Sequence, residues 1–249
     1  MHTNSEGNNY SDLLVCTGSK DKTLAVSTLN SIASGGIGDS GVTRPIFVSK
    51  HHSAKVGCVQ MKGNGSTLIG SASDDGSVAV HDYRSQTIVA DVDYAHDKLH
   101  SIVWDPYHSF TFLTAGYDPT IYSWDMRQLK EPLKSYYGHV PMSTNKCKRI
   151  HRPCYFQPIG DCTGTDKEKE NTYILSGGER SGCLSIFQAS FLTGDENHTQ
   201  SLQNKQMSVY SRGRLPEDSG DSGCIAVYGN NMAVTVNGGD ILILESTYS

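Results

Sequence analysis

The chain has 249 residues, 37% of them apolar and 19% charged, enough for one large domain or two small ones. A net charge of −5 leaves no basic stripe to track phosphates, so nucleic acid is not an expected partner. No apolar run reaches the roughly 18 residues a membrane-spanning helix needs, and the polar stretch 1–11 reads as no secretory signal. Seven cysteines, an odd number without a CxxC pair, fit a reduced compartment, cytoplasmic or nuclear. The sequons at Asn64 and Asn197 are then chance matches. Twenty-five glycines imply many turns, as in an all-β chain of short strands.

In chain order, the first element is a strand at 13–18, opening the segment TGSKDKTLAVSTLN (17–30). A Gly/Ser-rich insertion follows at 30–44, flexible by composition. SASDDGSVAVHDYR (71–84) and TAGYDPTIYSWDMR (114–127) then repeat the first segment's pattern, with Asp75 and Asp118 43 residues apart. His52, His96 and His139 keep the same period, at 44 and 43 residues. The third unit reads as strands at Leu99–Trp104, 110–115, 120–124 and 132–136, with Asp105-Pro106 breaking the first from the second. Trp104 alternates into a core, whereas Tyr107 lies in a turn and its role is open. Four short strands in about 43 residues form one blade of a β-propeller.

A fourth unit carries SGGERSGCLSIFQA (176–189), flanked by polar insertions at 161–171, 192–206 and 212–223. A last, weak unit reads as strands at 224–228, Asn231–Val236 and Ile241–Glu245. The expectation is one all-β propeller segment over 1–249, incomplete, with about eighteen strands in four to five blades. Its units lie near 13–49, 50–95, 96–138, 139–210 and 221–245. A set that begins near a second strand and stops after a third is expected to remain an open arc, with unpaired strand edges.

The third unit resembles the WD-repeat family on His96, Thr114, Asp118, Trp124 and Asp125. The resemblance implies that the first four form a hydrogen-bonded relay within the blade. The chemistry agrees: indole N–H, hydroxyl, imidazole and carboxylate each satisfy the next, so none is buried unpaired. The second unit offers His52, Ser71 and Asp75, with His81 in the tryptophan position. The first has Thr17, Asp21 and Ser27; the fourth has Ser176, with Arg180 near the aspartate position and Phe187 for tryptophan. These recurrent residues are structural and form no catalytic triad.

Other motifs carry little chemistry. GDSG occurs at 38–41 and 220–223, in expected loops, without a base to activate its serine. Cys147, His151, Cys154 and Cys162 lack the tight pairs of zinc sites, and a strand over 149–156 would turn His151 and Cys154 to opposite faces. No catalytic group, metal site or cofactor is therefore expected.

Two Asp-x-Arg segments, Asp82 to Arg84 and Asp125 to Arg127, stand at matching positions, 9 residues from Asp75 to Arg84 and 9 from Asp118 to Arg127. The second resembles the Trp-Asp-x-Arg variant of substrate receptors that dock on the adaptor of cullin-4 ubiquitin ligases. Such an arginine serves a partner's carboxylate or pairs within its own blade. The expected function is a protein-interaction scaffold, a substrate receptor or adaptor subunit that binds other proteins. Alternatives are a propeller enzyme, because KHHSAKVGCVQ (50–60) resembles a stretch of the diphthamide-synthesis methylesterase, and an adaptor in membrane traffic or organelle import.

Overall fold

The computed structural model describes residues 14–28, 45–63, 65–137, 152–156, 172–178, 183–189, 206–207, 211–214, 222–228, 231–236 and 241–245. Among the described residues there are nineteen strands and no helix. The first sheet holds β1 (Leu14–Gly18), β2 (Leu24–Thr28) and β3 (Phe47–Ser49). The second is a four-stranded meander of β4 (Val56–Met61), β5 (Leu68–Ser73), β6 (Val78–Asp82) and β7 (Thr87–Val92). The third repeats it with β8 (Leu99–Trp104), β9 (Thr111–Gly116), β10 (Thr120–Asp125) and β11 (Lys134–Tyr137). The fourth comprises β12 (Cys154–Phe156), β13 (Tyr173–Gly177), β14 (Cys183–Gln188) and, beyond the two-residue β15 (Gln206–Met207), β16 (Ser211–Arg214). The fifth holds β17 (Ser222–Tyr228), β18 (Asn231–Val236) and β19 (Ile241–Glu245). The five sheets are propeller blades, and the all-β class is the one expected.

Period-two alternation lets each inner strand feed two seams. In β9, Phe112 joins Ile102, Trp104 and Trp124 against Ala72, Val78 and Val80 of the second blade. Its neighbours Leu113 and Ala115 point the other way, onto Ile174 and Phe187 of the fourth blade. Leu24, Val26 and Phe47 of the first blade meet Ile69 of the second. Leu175 and Leu184 of the fourth meet Val234 of the fifth. Four apolar seams thus join five consecutive blades. The seam between the second and third blades includes an edge-on pair, Trp104 against Phe112, with ring centroids 5.6 Å apart.

Several boundaries differ from expectation. The proposed insertion 192–206 reaches into β15, which pairs in parallel with β11. The open edge of β11 accepts this segment, giving the third sheet a fifth, parallel strand. The proposed insertion 212–223 begins inside β16 and ends inside β17, so the fourth blade runs past residue 210. Polar composition concealed β16 (SRGR), whose backbone pairs with β14 without needing an apolar side chain. Ser222 and Gly223 of the second GDSG therefore lie on a strand, not in a loop. The insertions 30–44 and 161–171, the first GDSG, His139, Cys147, His151, Cys162 and Arg180 lie outside the described residues.

Candidate partner-binding site

The seams fix the blades, and the relays fix the turns. In the third blade, the Trp124 indole N–H donates to Thr114 Oγ1 at 2.8 Å. Thr114 Oγ1 also lies 2.9 Å from His96 Nε2, and His96 Nδ1 is 2.5 Å from Asp118 Oδ2. The indole only donates, so the threonine hydroxyl donates onward to Nε2, and the imidazole proton sits on Nδ1 facing the carboxylate. The structure brings these four residues together, in the seam facing the second blade.

The second blade brings His52, Ser71 and Asp75 together differently. His81 occupies the tryptophan position and reaches Ser71 Oγ with Nε2 at 2.8 Å. Ser71 Oγ lies 2.7 Å from His52 Nε2. Asp75 stands 3.7 Å from His52 Nδ1, and Ser77 bridges the gap, 2.8 Å from that nitrogen and 2.5 Å from Asp75 Oδ1. With each donor passed along in one direction, His81 must carry its proton on Nε2. Its Nδ1 is then a buried acceptor with no protein partner among the described residues. Burial, with His52 and His51 nearby, depresses the His81 pKa to about 4. Burial opposes ionisation of Asp75, but hydrogen bonds from Ser77 and Ser53 outweigh it and hold the carboxyl well below its usual range. Neither relay has an exposed nucleophile, and both tie a strand to the turn that follows it.

At the opposite blade ends, the two Asp-x-Arg turns adopt one geometry. Asp82 Oδ1 accepts the Arg84 amide at 2.9 Å, and Asp125 Oδ1 accepts the Arg127 amide at 2.9 Å. Both turns leave the third strand of a four-stranded blade, so Arg84 and Arg127 stand on the same face of adjacent blades. They differ beyond the backbone. Arg127 grips both oxygens of Asp125, Nε donating to Oδ1 at 2.9 Å and to Oδ2 at 3.2 Å and a terminal nitrogen to Oδ2 at 2.5 Å. The hydrogen bonds from Arg127 hold the Asp125 carboxyl below its ordinary value.

Beside these turns lies a feature that sequence reasoning did not find. The Arg127 guanidinium sits 4.5 Å from the centroid of the Phe110 ring, which is 45% exposed. The Lys62 ammonium, from the second blade, lies 5.6 Å from the same centroid and donates to the Ser109 carbonyl. Asp105, fully buried, organises the loop by accepting the amides of Tyr107 at 2.8 Å and His108 at 3.1 Å and the Thr111 hydroxyl at 2.9 Å. Asp105-Pro106 breaks β8 from β9 as expected, and Asp105, bonding amides two and three residues on, also builds the turn. Phe110, expected to begin the second strand, instead precedes β9. Between this loop and the fourth blade opens a cleft of about 480 Å³, lined by Tyr107, Phe110, Arg127, Leu133, Tyr136 and Tyr155 among others. Tyr107 is 38% exposed at its mouth.

These blades and relays define a repeat protein that presents loops from a rigid β scaffold. The family model described as "WD domain, G-beta repeat" matches residues 43–82 and 89–125, the stretch that holds both relays. Those two stretches of the chain are WD repeats. It is 32% identical over 127 residues to the RbAp48-related WD40 repeat-containing protein prw1 of Schizosaccharomyces pombe. That match covers 49% of this chain and 28% of the relative. It is 30% identical over 92 residues to Protein transport protein SEC31 of Dictyostelium discoideum, covering 35% of the chain and 7% of that protein. A third match, 31% over 74 residues, is to Protein sof1 of Schizosaccharomyces pombe, covering 30% and 17% respectively. The chain thus spans under a third of each of these relatives. Among the described residues, no helix is long and apolar enough to cross a membrane.

Proposed function

We propose that this chain is a protein-interaction scaffold without catalytic activity, cytoplasmic or nuclear, serving as a substrate receptor or adaptor subunit of a larger complex. The observation that carries this reading is the repeated Asp-x-Arg turn, with Asp82 and Asp125 each capping the backbone that presents Arg84 and Arg127 on one face. The side chain of Arg127 is 65% exposed despite its pairing with Asp125. Its remaining donors face solvent, where a planar fork suits a partner's carboxylates. The partner in the finer reading is the adaptor of a cullin-4 ligase.

The test is a double charge reversal, Arg84→Glu with Arg127→Glu, read by pull-down with that adaptor. The variant should melt like the parent and lose adaptor binding by about tenfold or more. Full retention by a folded variant would leave the arginines as ordinary surface residues. A second reading, an adaptor in membrane traffic, draws on the similarity to a protein whose name assigns it to protein transport. In that case the ligase adaptor binds neither parent nor variant, and the double reversal instead weakens binding to a membrane-traffic partner.

A further inference from the structure

The cleft between the third and fourth blades has the size of a ligand site, about 480 Å³. It is too open and too aromatic to be a packing defect. Its walls are rings: Tyr107 and Phe110 from the loop before β9, Tyr136 from β11 and Tyr155 from β12. Leu133 adds an aliphatic floor. Tyr136 is buried and Tyr155 half-buried, whereas Tyr107 and Phe110 stand at the mouth with 38% and 45% of their surfaces exposed. Aromatic walls with two exposed rims suit an inserted apolar side chain.

Cations and carboxylates both stand near the mouth, and they differ in how far each is engaged. Each nearby carboxylate is already occupied: Asp105 by two amides, the Thr111 hydroxyl and His108, and Asp125 by Arg127. The cations are not used up. Arg127 is 65% exposed and has donors beyond those it gives Asp125, and Lys62 spends one bond on a neutral carbonyl. Both cations flank Phe110, so its ring holds two positive charges at fixed places beside the opening.

The geometry points to a docking groove for an acidic segment of a partner protein, one aromatic or large aliphatic side chain of which inserts beside Tyr107 and Phe110 while its carboxylates meet Lys62 and Arg127. This rests on the scaffold reading and deepens it by giving the partner a chemistry: an apolar anchor in an acidic context. Lys62 and Phe110 belong to neighbouring blades, so the pair of cations beside the groove stays in place only while those blades are packed together.

The probe is a fluorescein-labelled peptide of glutamates around one central phenylalanine, titrated against the whole chain by anisotropy. Two controls replace the phenylalanine by alanine or the glutamates by lysine. Binding of the first peptide, with each control weaker by about tenfold or more, is the expected result. Phe110→Ala and Lys62→Ala should each weaken the first peptide several-fold, and Phe110→Tyr should restore it by returning the ring. Phe110 belongs to none of the apolar seams, so its variants should melt with the parent. Equal binding of the phenylalanine and alanine peptides would overturn the groove. So would a folded Phe110→Ala that binds at full strength. Loss of adaptor binding in the double arginine reversal, with no peptide bound by the parent, would overturn the groove and spare the scaffold.

Discussion

Acid should loosen the seam between the first and second blades as pH falls below 6.5. His81 is wholly buried there, among Phe47, His51 and His52. Its pKa is depressed to about 4 from an ordinary 6.5. The unfolded chain therefore binds a proton between those values that the folded chain refuses. Stability contributed by the neutral ring is full above pH 6.5, declines as pH falls, and is gone below about 4. At pH 5 the loss integrates to about 2 kcal/mol, which lowers the melting temperature by roughly 4–8 °C for a chain of this size. His52 is also depressed by burial and adds to the effect in the same direction. Asp75 acts in a separate window, because its lowered pKa defers its loss to pH values below the ordinary 3.8. The assay is thermal melting at pH 7.5 and pH 5 for the parent and for His81→Gln, whose amide nitrogen keeps a donor for Ser71 but does not titrate. The variant should lose most of the difference between the two pH values. An identical pH response in parent and variant would refute the assignment of the proton deficit to His81.

The relay in the third blade predicts that Thr114→Val, nearly isosteric, costs about 2–3 kcal/mol, because it strands both the Trp124 N–H and His96 Nε2 in a buried seam. A melting temperature within a degree of the parent would mean that the relay contributes nothing. Ile241 and Ile243 are 65% and 73% exposed on β19. Replacing both by lysine should change the stability of the chain by no more than about 0.5 kcal/mol, and a large drop in melting temperature would indicate that this face is covered.

How far the fold could be read depended on which force set each element. The third blade was legible nearly residue by residue, because apolar alternation in β8, β9 and β10 coincides with polar markers at a fixed period. β15 and β16 were not legible. QM and SRGR have no apolar stripe, and open backbone edges, invisible in composition, recruit them. The relay of the second blade was readable as His52, Ser71 and Asp75, but not the insertion of Ser77 between histidine and aspartate. His81 in place of tryptophan shortens the reach of the ring, and that consequence belongs to three dimensions. The arginines were visible as a motif; their partner Phe110 was not, because a phenylalanine before a strand reads as core.

The blade faces are directional, and this bears on where function lies. Thr114 and Trp124 turn toward the second blade, on the side of Phe112, and Ser71 and His81 turn toward the first, on the side of Ile69. Each relay is thus sealed by the blade before it. In the first blade the corresponding position is Thr17, which is exposed, as is Val48 at 45% on the same face. In the fifth blade Ile225, Val227, Met232 and Val234 face the fourth blade, leaving Ile241 and Ile243 on the other side. Among the described residues, the first and fifth blades thus expose opposite faces, the first on the side of Thr17 and Val48 and the fifth on the side of Ile241 and Ile243. Residues spent on seams and relays are committed to holding blades in register, so specificity falls to the turns at the blade ends. Of those turns, the pair after β6 and β10 and the loop before β9 gather exposed cations and rings on one side. The histidines, serines and aspartates that first suggest chemistry are committed to the relays, whereas Arg84, Phe110 and Arg127 stand exposed at these turns.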